Sequence, residues 1–270
     1  MHDGLALDHL TVTDTTPSQL VEIAAATGYR AICLFLEPMN VLPRMPGFAL
    51  LGVSPERRAT KERMDDLGIG LDVAYPFTLS SRTDVTAFGP ALETAAYLGA
   101  WAVNVLVYDR EPARRVERFG QFCALAERFD LKVVVEFFPL SQTRSLTEAL
   151  DLVNTVDAPG RVGINVDLLH LHRSGGTIAE LAAAPPERIL YAQYCDASAQ
   201  RDPEEWGYEA SSQRMLAGEG ALDLAGFARA LPSGCRASVE LPQESALVAG
   251  ISAQERARAA LEGVERSIKR

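Results

Sequence analysis

The chain is short of the residues on which several enzyme classes depend. Of its 26 basic residues only three are lysines: Lys61, Lys132 and Lys269. Lys132 opens a predicted strand, and the other two fall in or beside predicted helices. None stands at the catalytic end of a strand, where Schiff-base chemistry would need it. The four cysteines (Cys33, Cys123, Cys195 and Cys235) are scattered without a CxxC pair, which excludes a disulfide framework and fits a reducing compartment. Neither a GxSxG elbow nor a Walker A loop is present, which removes the serine hydrolases and P-loop enzymes that rely on them. No apolar run reaches the ~18 residues of a membrane span. The opening MHDGLALDHL lacks the basic and apolar regions of a signal peptide, and the expectation is a cytoplasmic protein. Positive charge is scarce overall. The formal net charge is −10, from 26 Lys+Arg against 36 Asp+Glu, a field that repels nucleic acid and anionic membranes.

What is present is alternation. Apolar runs of strand length near 6–13, 31–36, 70–75, 102–108, 132–137, 162–167, 189–194 and 236–241 are separated by amphipathic stretches. These predict helices over 18–27, 55–67, 85–98, 111–129, 146–156, a short one from Thr177, 222–231 and 253–268. Thr16-Pro17-Ser18 and Ser252 are plausible helix starts. Eight βα units in one chain of 270 residues most economically close into a single-domain (β/α)8 TIM barrel spanning 1–270. The rival, a doubly wound dinucleotide-binding sheet, would show a glycine fingerprint after its first strand, where Thr11–Thr15 stand instead. Two long segments follow strands, 38–54 and 197–220. They would lie on the catalytic face and could roof a pocket.

Both faces of a barrel strand are buried, so polar residues within strands need a reason. Side chains alternate along a strand. Taking Glu136 as inward puts Val134 with it and turns Val133, Val135 and Phe137 toward the helices. The same parity turns Asp167 and Asn165 inward on strand six, Gln193 and Tyr191 on strand seven, and Glu240 and Ser238 on strand eight. Four successive strands thus end in Glu136, Asp167, Gln193 and Glu240. Three carboxylates at one mouth repel each other unless a cation or protons neutralise them. Three carboxylate oxygens and an amide oxygen make a hard site for one divalent ion, Mn²⁺ or Mg²⁺ foremost, with Co²⁺ or Zn²⁺ tolerated. The bland alternative is that each acid pairs with an arginine. His170, just past Asp167, can donate to a substrate oxygen, whereas His2 and His9 have weaker claims. Arg173 and Arg214 could bind a carboxylate or phosphate. Asn104, Tyr108, Tyr75 and Glu37 are further wall candidates. Phe137, Phe138, Trp206 and Tyr208 hint at a substrate less hydrophilic than a free hexose.

In these residues the chain resembles the xylose-isomerase-like TIM-barrel family of sugar isomerases, epimerases and related lyases, which also includes an AP endonuclease branch. The resemblance runs through Val-Glu-Phe-Phe-Pro around Glu136, Asp-Leu-Leu-His and Arg-Ser-Gly-Gly over 167–176, Gln-Tyr-Cys-Asp over 193–196, Arg-Met-Leu-Ala-Gly-Glu-Gly from Arg214, and Val-Glu at 239–240. It implies metal ligands at Glu136, Asp167, Gln193 and Glu240, with Glu136 and Glu240 also acting as the acid/base pair. It implies substrate contacts at His170 and Arg214. Many members have His where this chain has Gln193, while hydroxypyruvate-isomerase-like members carry Gln. The nuclease branch would need a His-rich multi-zinc cluster and a basic DNA face, and four histidines with a −10 charge argue against it.

The implied function is a divalent-metal-dependent isomerase or epimerase acting on a carbohydrate-like keto compound. The step is removal of a proton α to a carbonyl, giving an enediolate. Loss of a β-hydroxyl from the same enolate would make the enzyme a dehydratase of a cyclic keto compound, of the inosose or dehydroshikimate type. A sugar-binding barrel without catalysis is the non-enzymatic alternative. The expected partner is a small-molecule carbonyl substrate, with neither nucleic acid nor membrane, and homo-oligomers are common among such barrels.

Overall fold

Runs of Val, Ile, Leu and Ala too short for a helix form eight strands in the computed structural model, which describes residues 4–269. They are β1 Ala6–Asp8, β2 Ala31–Phe35, β3 Gly70–Leu79, β4 Ala100–Val107, β5 Lys132–Glu136, β6 Val162–Asp167, β7 Ile189–Tyr194 and β8 Arg236–Val239. All pair in parallel in chain order, and β8 returns to β1 to close the barrel. The helices between strands cover the outside, so the TIM-barrel expectation holds. His2 lies outside the described residues. No described helix is long and apolar enough to cross a membrane.

The helix starts follow the sequence signals. Thr16 and Ser252 each form a capping box, with Gln19 and Glu255 respectively, which satisfies backbone donors that have no partner in the first turn. The end of β1 departs from expectation. Instead of running on to Thr13, the strand stops at Asp8, whose carboxylate accepts the Leu10 N–H and turns the chain into a 3₁₀ helix over His9–Val12. His9 is thereby buried, its Nε2 on the Thr15 carbonyl and its ring stacked on Phe48. Burial lowers its pKa to about 4, and the residue is part of the packing. In a second departure, β3 continues past Tyr75 to Leu79, pairing again with β4 after an irregularity between Ala74 and Phe77. The third is a helix over Leu168–Arg173 that begins directly after β6, capped by the Asp167 carboxylate. Within 197–220 a short helix, Trp206–Ser211, and the bridges Asp196–Met215 and Gln213–Gln243 fold the segment over the mouth.

Strand parity divides the core into two parts. Leu7, Ile32, Val103, Val133, Val135, Ile164, Val166 and Val239 face the helices. Ala6, Ala31, Cys33, Val73, Ala102, Val134 and Tyr191 fill the interior. Small residues on β1, β2 and β4 leave room for Tyr191, which is fully buried with its hydroxyl 3.1 Å from Cys33 Sγ. At the amino-terminal end of the barrel, Asp72 receives Arg30 and Arg236, at 3.0 and 2.7 Å from Oδ1. Lys132 sits at that same end, its Nζ on the Gly160 carbonyl, well away from the catalytic face. The bottom is thus closed by side chains and ion pairs, and the barrel opens at the carboxyl ends of its strands.

Gly163 marks a tight point of this packing. A Cβ there would stand 2.5 Å from both the Arg188 carbonyl oxygen and Leu190 Cγ, at the register shift between β6 and β7. Because a backbone atom is one of the obstacles, Gly163→Ala is expected to lower stability by about 1–3 kcal/mol. Urea unfolding midpoints check this, and an unchanged midpoint would show that the two strands separate freely.

Candidate active site and metal centre

The ring of polar strand ends is assembled by strand parity. Glu136, Gln193 and Glu240 line one cavity of about 350 Å³ at the carboxyl ends of the strands, together with His170 and Arg214. Asp167 lies beneath them, fully buried. Glu240 follows the last residue of β8, but its N–H still bonds to the Tyr194 carbonyl of β7, which holds its side chain over the barrel axis.

Each member has an assigned neighbour. Asp167 Oδ1 caps the helix that follows it by accepting the Leu169 and His170 N–H groups at 2.6 and 3.2 Å. Its Oδ2 accepts Arg214 Nη1 at 2.7 Å. Arg214 is itself buried. It also donates to the Glu240 and Ala210 carbonyls at 3.1 and 3.0 Å, and its Nη2 lies 3.3 Å from Glu240 Oε2. His170 Nε2 stands 3.3 Å from Glu136 Oε1, and its ring packs on Phe138 at a centroid distance of 4.7 Å. The amides form a chain: Asn165 Nδ2 donates to Gln193 Oε1 at 2.6 Å and to Asn104 Oδ1 at 3.3 Å, and Asn104 Nδ2 donates to Glu136 Oε2. That chain fixes the orientation of Gln193 and Glu136 from below.

Arg173 stands apart from the ring. Its guanidinium forms two 2.8 Å bonds with Glu209 and a further one with the Ser198 carbonyl, so it pins the 197–220 segment to the helix after β6 and is spent on that contact. Of the aromatic residues expected at the rim, Phe138 lines the cavity. Phe137 faces the helices, Trp206 donates to the Arg201 carbonyl, and Tyr208 bonds Glu244 at the surface.

One acid escaped the sequence reading. Asp8 ends β1 on the inner face, fully buried, and its Oδ1 accepts the Tyr75 hydroxyl at 2.5 Å. Inward alternation of Ala6 and Asp8 was a usable signal, obscured by extending the strand to Thr13. The mouth therefore holds four carboxyl groups, Asp8, Glu136, Asp167 and Glu240, around the single guanidinium of Arg214. If all ionised, they would leave three uncompensated negative charges in a site of low dielectric, which is strongly unfavourable. Protons relieve part of this. Burial above all, opposed by the Tyr75 and Leu10 hydrogen bonds and reinforced by nearby Glu136, raises Asp8 to about 7. Burial likewise pushes Glu240 well above the usual carboxylate range, opposed by Arg214 and reinforced by Asp8, Asp167 and Glu136. Asp167 lies well below that range despite its burial, chiefly because of Arg214 and His170.

The donor set fits a divalent cation. Ligand atoms of Glu136, Asp167 and His170 all lie within 4.8 Å of one another. Asp8 Oδ2 is buried without a hydrogen-bond partner, and Glu240 Oε2 has the 3.3 Å ion-pair contact with Arg214 but no hydrogen bond, an arrangement that costs free energy unless something positive completes it. The buried Glu–Asp–His cluster points to a divalent metal site, and Gln193 and Glu240 line the cavity that opens onto it.

A family model described as xylose isomerase-like TIM barrel matches residues 21–269. The chain belongs to that family. Its fold is shared with several solved structures. IolI, solved with a bound zinc atom, aligns at TM-score 0.78 and 21% identity over 98% of both chains. The probable 3-DHS dehydratase AsbF of Bacillus anthracis aligns at 0.74 and 17%, covering 97% of this chain and 98% of that one. A D-allulose 3-epimerase from Methylomonas sp. aligns at 0.69 and 15%, covering 98% and 97%. Against a fusion protein containing a barrel of this type, the chain spans 43% of the partner's length. At such identities the likeness is one of fold. No curated protein sequence matches this chain.

The raised pKa of Asp8 has a measurable consequence in protein freed of metal by a chelator. A carboxyl with a folded-state pKa above its unfolded value adds stability below pH ~4, and that contribution is lost as pH rises to about 7. Asp8→Asn keeps the acceptor for Tyr75 but cannot ionise. Its stability relative to the parent is expected to rise by on the order of 2 kcal/mol between pH 5 and pH 8, read from denaturant unfolding. Parallel pH profiles would mean that Asp8 carries its charge throughout.

Proposed function

We propose that the protein is a divalent-metal-dependent isomerase or epimerase that moves the proton α to a carbonyl in a small hydroxycarbonyl substrate. The observation that carries this reading is the pair Glu136 and Glu240, two buried carboxyls at the ends of different strands that line one cavity. Acid/base work at a carbon flanked by oxygen needs one group to take a proton and another to return it. Glu240, raised in pKa by burial and by its acidic neighbours, is suited to holding a proton during the reaction. Glu136, clamped by Asn104 and His170, is oriented toward the same space.

In this reading the ion is held by Glu136, Asp167, Gln193 and Glu240, with His170 close by. A divalent cation bound there supplies Lewis-acid polarisation of the carbonyl and offsets the negative charge that develops beside it. Glu136 and Glu240 exchange the proton with the carbon, one from each face. Return to the same carbon inverts it, and return to its neighbour shifts the carbonyl. His170 holds a substrate oxygen, while Arg214, whose donors are taken by Asp167, Glu240 and the Ala210 carbonyl, neutralises Asp167. Mn²⁺ and Mg²⁺ suit the oxygen-rich donors, and the nearby imidazole also favours Zn²⁺ or Co²⁺. A dehydratase reading uses the same first step followed by departure of a β-hydroxyl, and the similarity of fold to the probable 3-DHS dehydratase favours it as the second choice.

Solvent exchange tests the reading directly. With Mn²⁺ or Zn²⁺ present, a turned-over hydroxyketone in D₂O loses its α-proton signal by NMR. A dehydratase would in addition build the ultraviolet absorbance of a conjugated enone. Glu136→Gln and Glu240→Gln are each expected to slow exchange by at least about 100-fold while the fold, followed by circular dichroism, persists. Exchange that survives both substitutions would refute the assignment.

A further inference from the structure

Resting on the function proposed above, a further inference concerns the substrate. The cavity over the ring is not built for a polyol. Its walls are apolar from the ring upward. Phe35 and Tyr75, from β2 and β3, meet edge to face at 4.3 Å. Leu106 lies next to them on β4, and Phe138 stands on the far arc after β5. Met39 and Leu42, from the segment after β2, close over the same space. Val41 of this segment and Tyr108 at the end of β4 expose 74% and 37% of their surface at the mouth, so the apolar character extends to the entrance.

Polar capacity above the ring is low. Tyr75 gives its hydroxyl to Asp8, and Ser211 gives its own to the Gly207 carbonyl. Thr78 and Tyr108 bring further hydroxyls. A free sugar, with a hydroxyl on nearly every carbon, would leave most of them stripped of water against Phe, Leu and Met side chains, which is unfavourable. Cationic capacity is lower still. Among the described residues, Arg214 is the one cationic side chain lining the cavity, and it is bonded to Asp167 and faces Glu240. Arg173 is clasped by Glu209. Among the described residues that line the cavity, no uncommitted guanidinium or ammonium is left for a phosphate or carboxylate.

We propose that the substrate is an uncharged hydroxycarbonyl compound carrying an aromatic or alicyclic body. Its hydroxycarbonyl end rests on the ring of Glu136, Gln193 and Glu240. Its body fills the slot between the Phe35–Tyr75 pair and Phe138, under Met39 and Leu42. At about 350 Å³ the cavity falls in the lower part of the roughly 300–1,000 Å³ range of small-ligand sites, enough for a compact ring system and a short side arm.

Calorimetric titration of the full chain, with and without Zn²⁺, against four probes tests this. The probes are hydroxyacetone, 1-hydroxy-3-phenylpropan-2-one, D-fructose and D-fructose 6-phosphate; α-proton exchange is followed in parallel. The phenyl compound is expected to bind at least about tenfold more tightly than any of the other three, the scale set by burying an aromatic ring. Leu106→Asn and Met39→Gln should each cut that preference by about threefold or more. Equal or tighter binding of either fructose compound, or no detectable binding of the phenyl compound, overturns the inference whatever the exchange experiment gives. A clear preference for the phenyl compound without exchange of any probe supports the slot and instead counts against the proposed isomerase chemistry.

Discussion

Four buried carboxyl groups converge where this barrel opens, and one guanidinium stands among them. The contact of Arg214 with Asp167 and Glu240 is the constraint around which the rest of the mouth is arranged. Breaking a buried ion pair by removing one partner is costly because the other charge is left unsolvated. The surroundings hold Arg214 from several directions, with the Ala210 carbonyl from the short helix over the mouth and the Glu240 carbonyl after β8. The pair thus ties the long segment after β7 to β6 and β8. What Arg214 cannot supply is enough positive charge for all four acids. The raised pKa values of Asp8 and Glu240 let protons offset part of the shortfall, and the oxygens of the same two residues that lack a hydrogen-bond partner suit the centre to a cation.

The lower barrel makes this tolerable. Asp72 is neutralised twice, by Arg30 and Arg236, so its charge is settled before it reaches the site. Tyr191, fully buried, fills the interior between the two ends, its hydroxyl on Cys33 and Asp72. The amides of Asn104, Asn165 and Gln193 form an uncharged chain beside the acids, and Asn104 gives Glu136 a hydrogen bond without adding to the repulsion. The charged groups that could react face the open end, while Asp72 with Arg30 and Arg236 is paired at the closed end.

Much of this was legible in the sequence because a parallel barrel constrains both faces of its strands. A polar residue flanked by apolar ones, as Glu136 is by Val135 and Phe137 and Asn165 by Ile164 and Val166, has one direction in which to point, and alternation identified it. Order and spacing of the motifs after residue 133 carried the family. What escaped has physical causes. Asp8 was hidden because its own side chain ends the strand, a local hydrogen bond that periodicity does not register. The helix at 168–173 was missed since its cap is the same Asp167 that ends the strand, leaving no turn between them. Arg173 and Arg214 look alike in sequence. Their different fates, one on Glu209 and one in the ring, depend on how the segment after β7 folds back, a long-range contact that no local pattern encodes. The apolar walls were assigned partly to the wrong aromatics for the same reason, since loop residues lack strand parity.

The central claim is that the mouth of the barrel is one cation short of balance. Elemental mass spectrometry on protein never exposed to chelator or nickel resin addresses it most directly. The account predicts about one divalent ion per chain, with that ion lost when Asp167 and Glu136 are both replaced by their amides. Protein that arrives metal-free and takes up neither Mn²⁺ nor Zn²⁺ when offered would contradict it, and the carboxyl ring would then be balanced by Arg214 and bound protons alone.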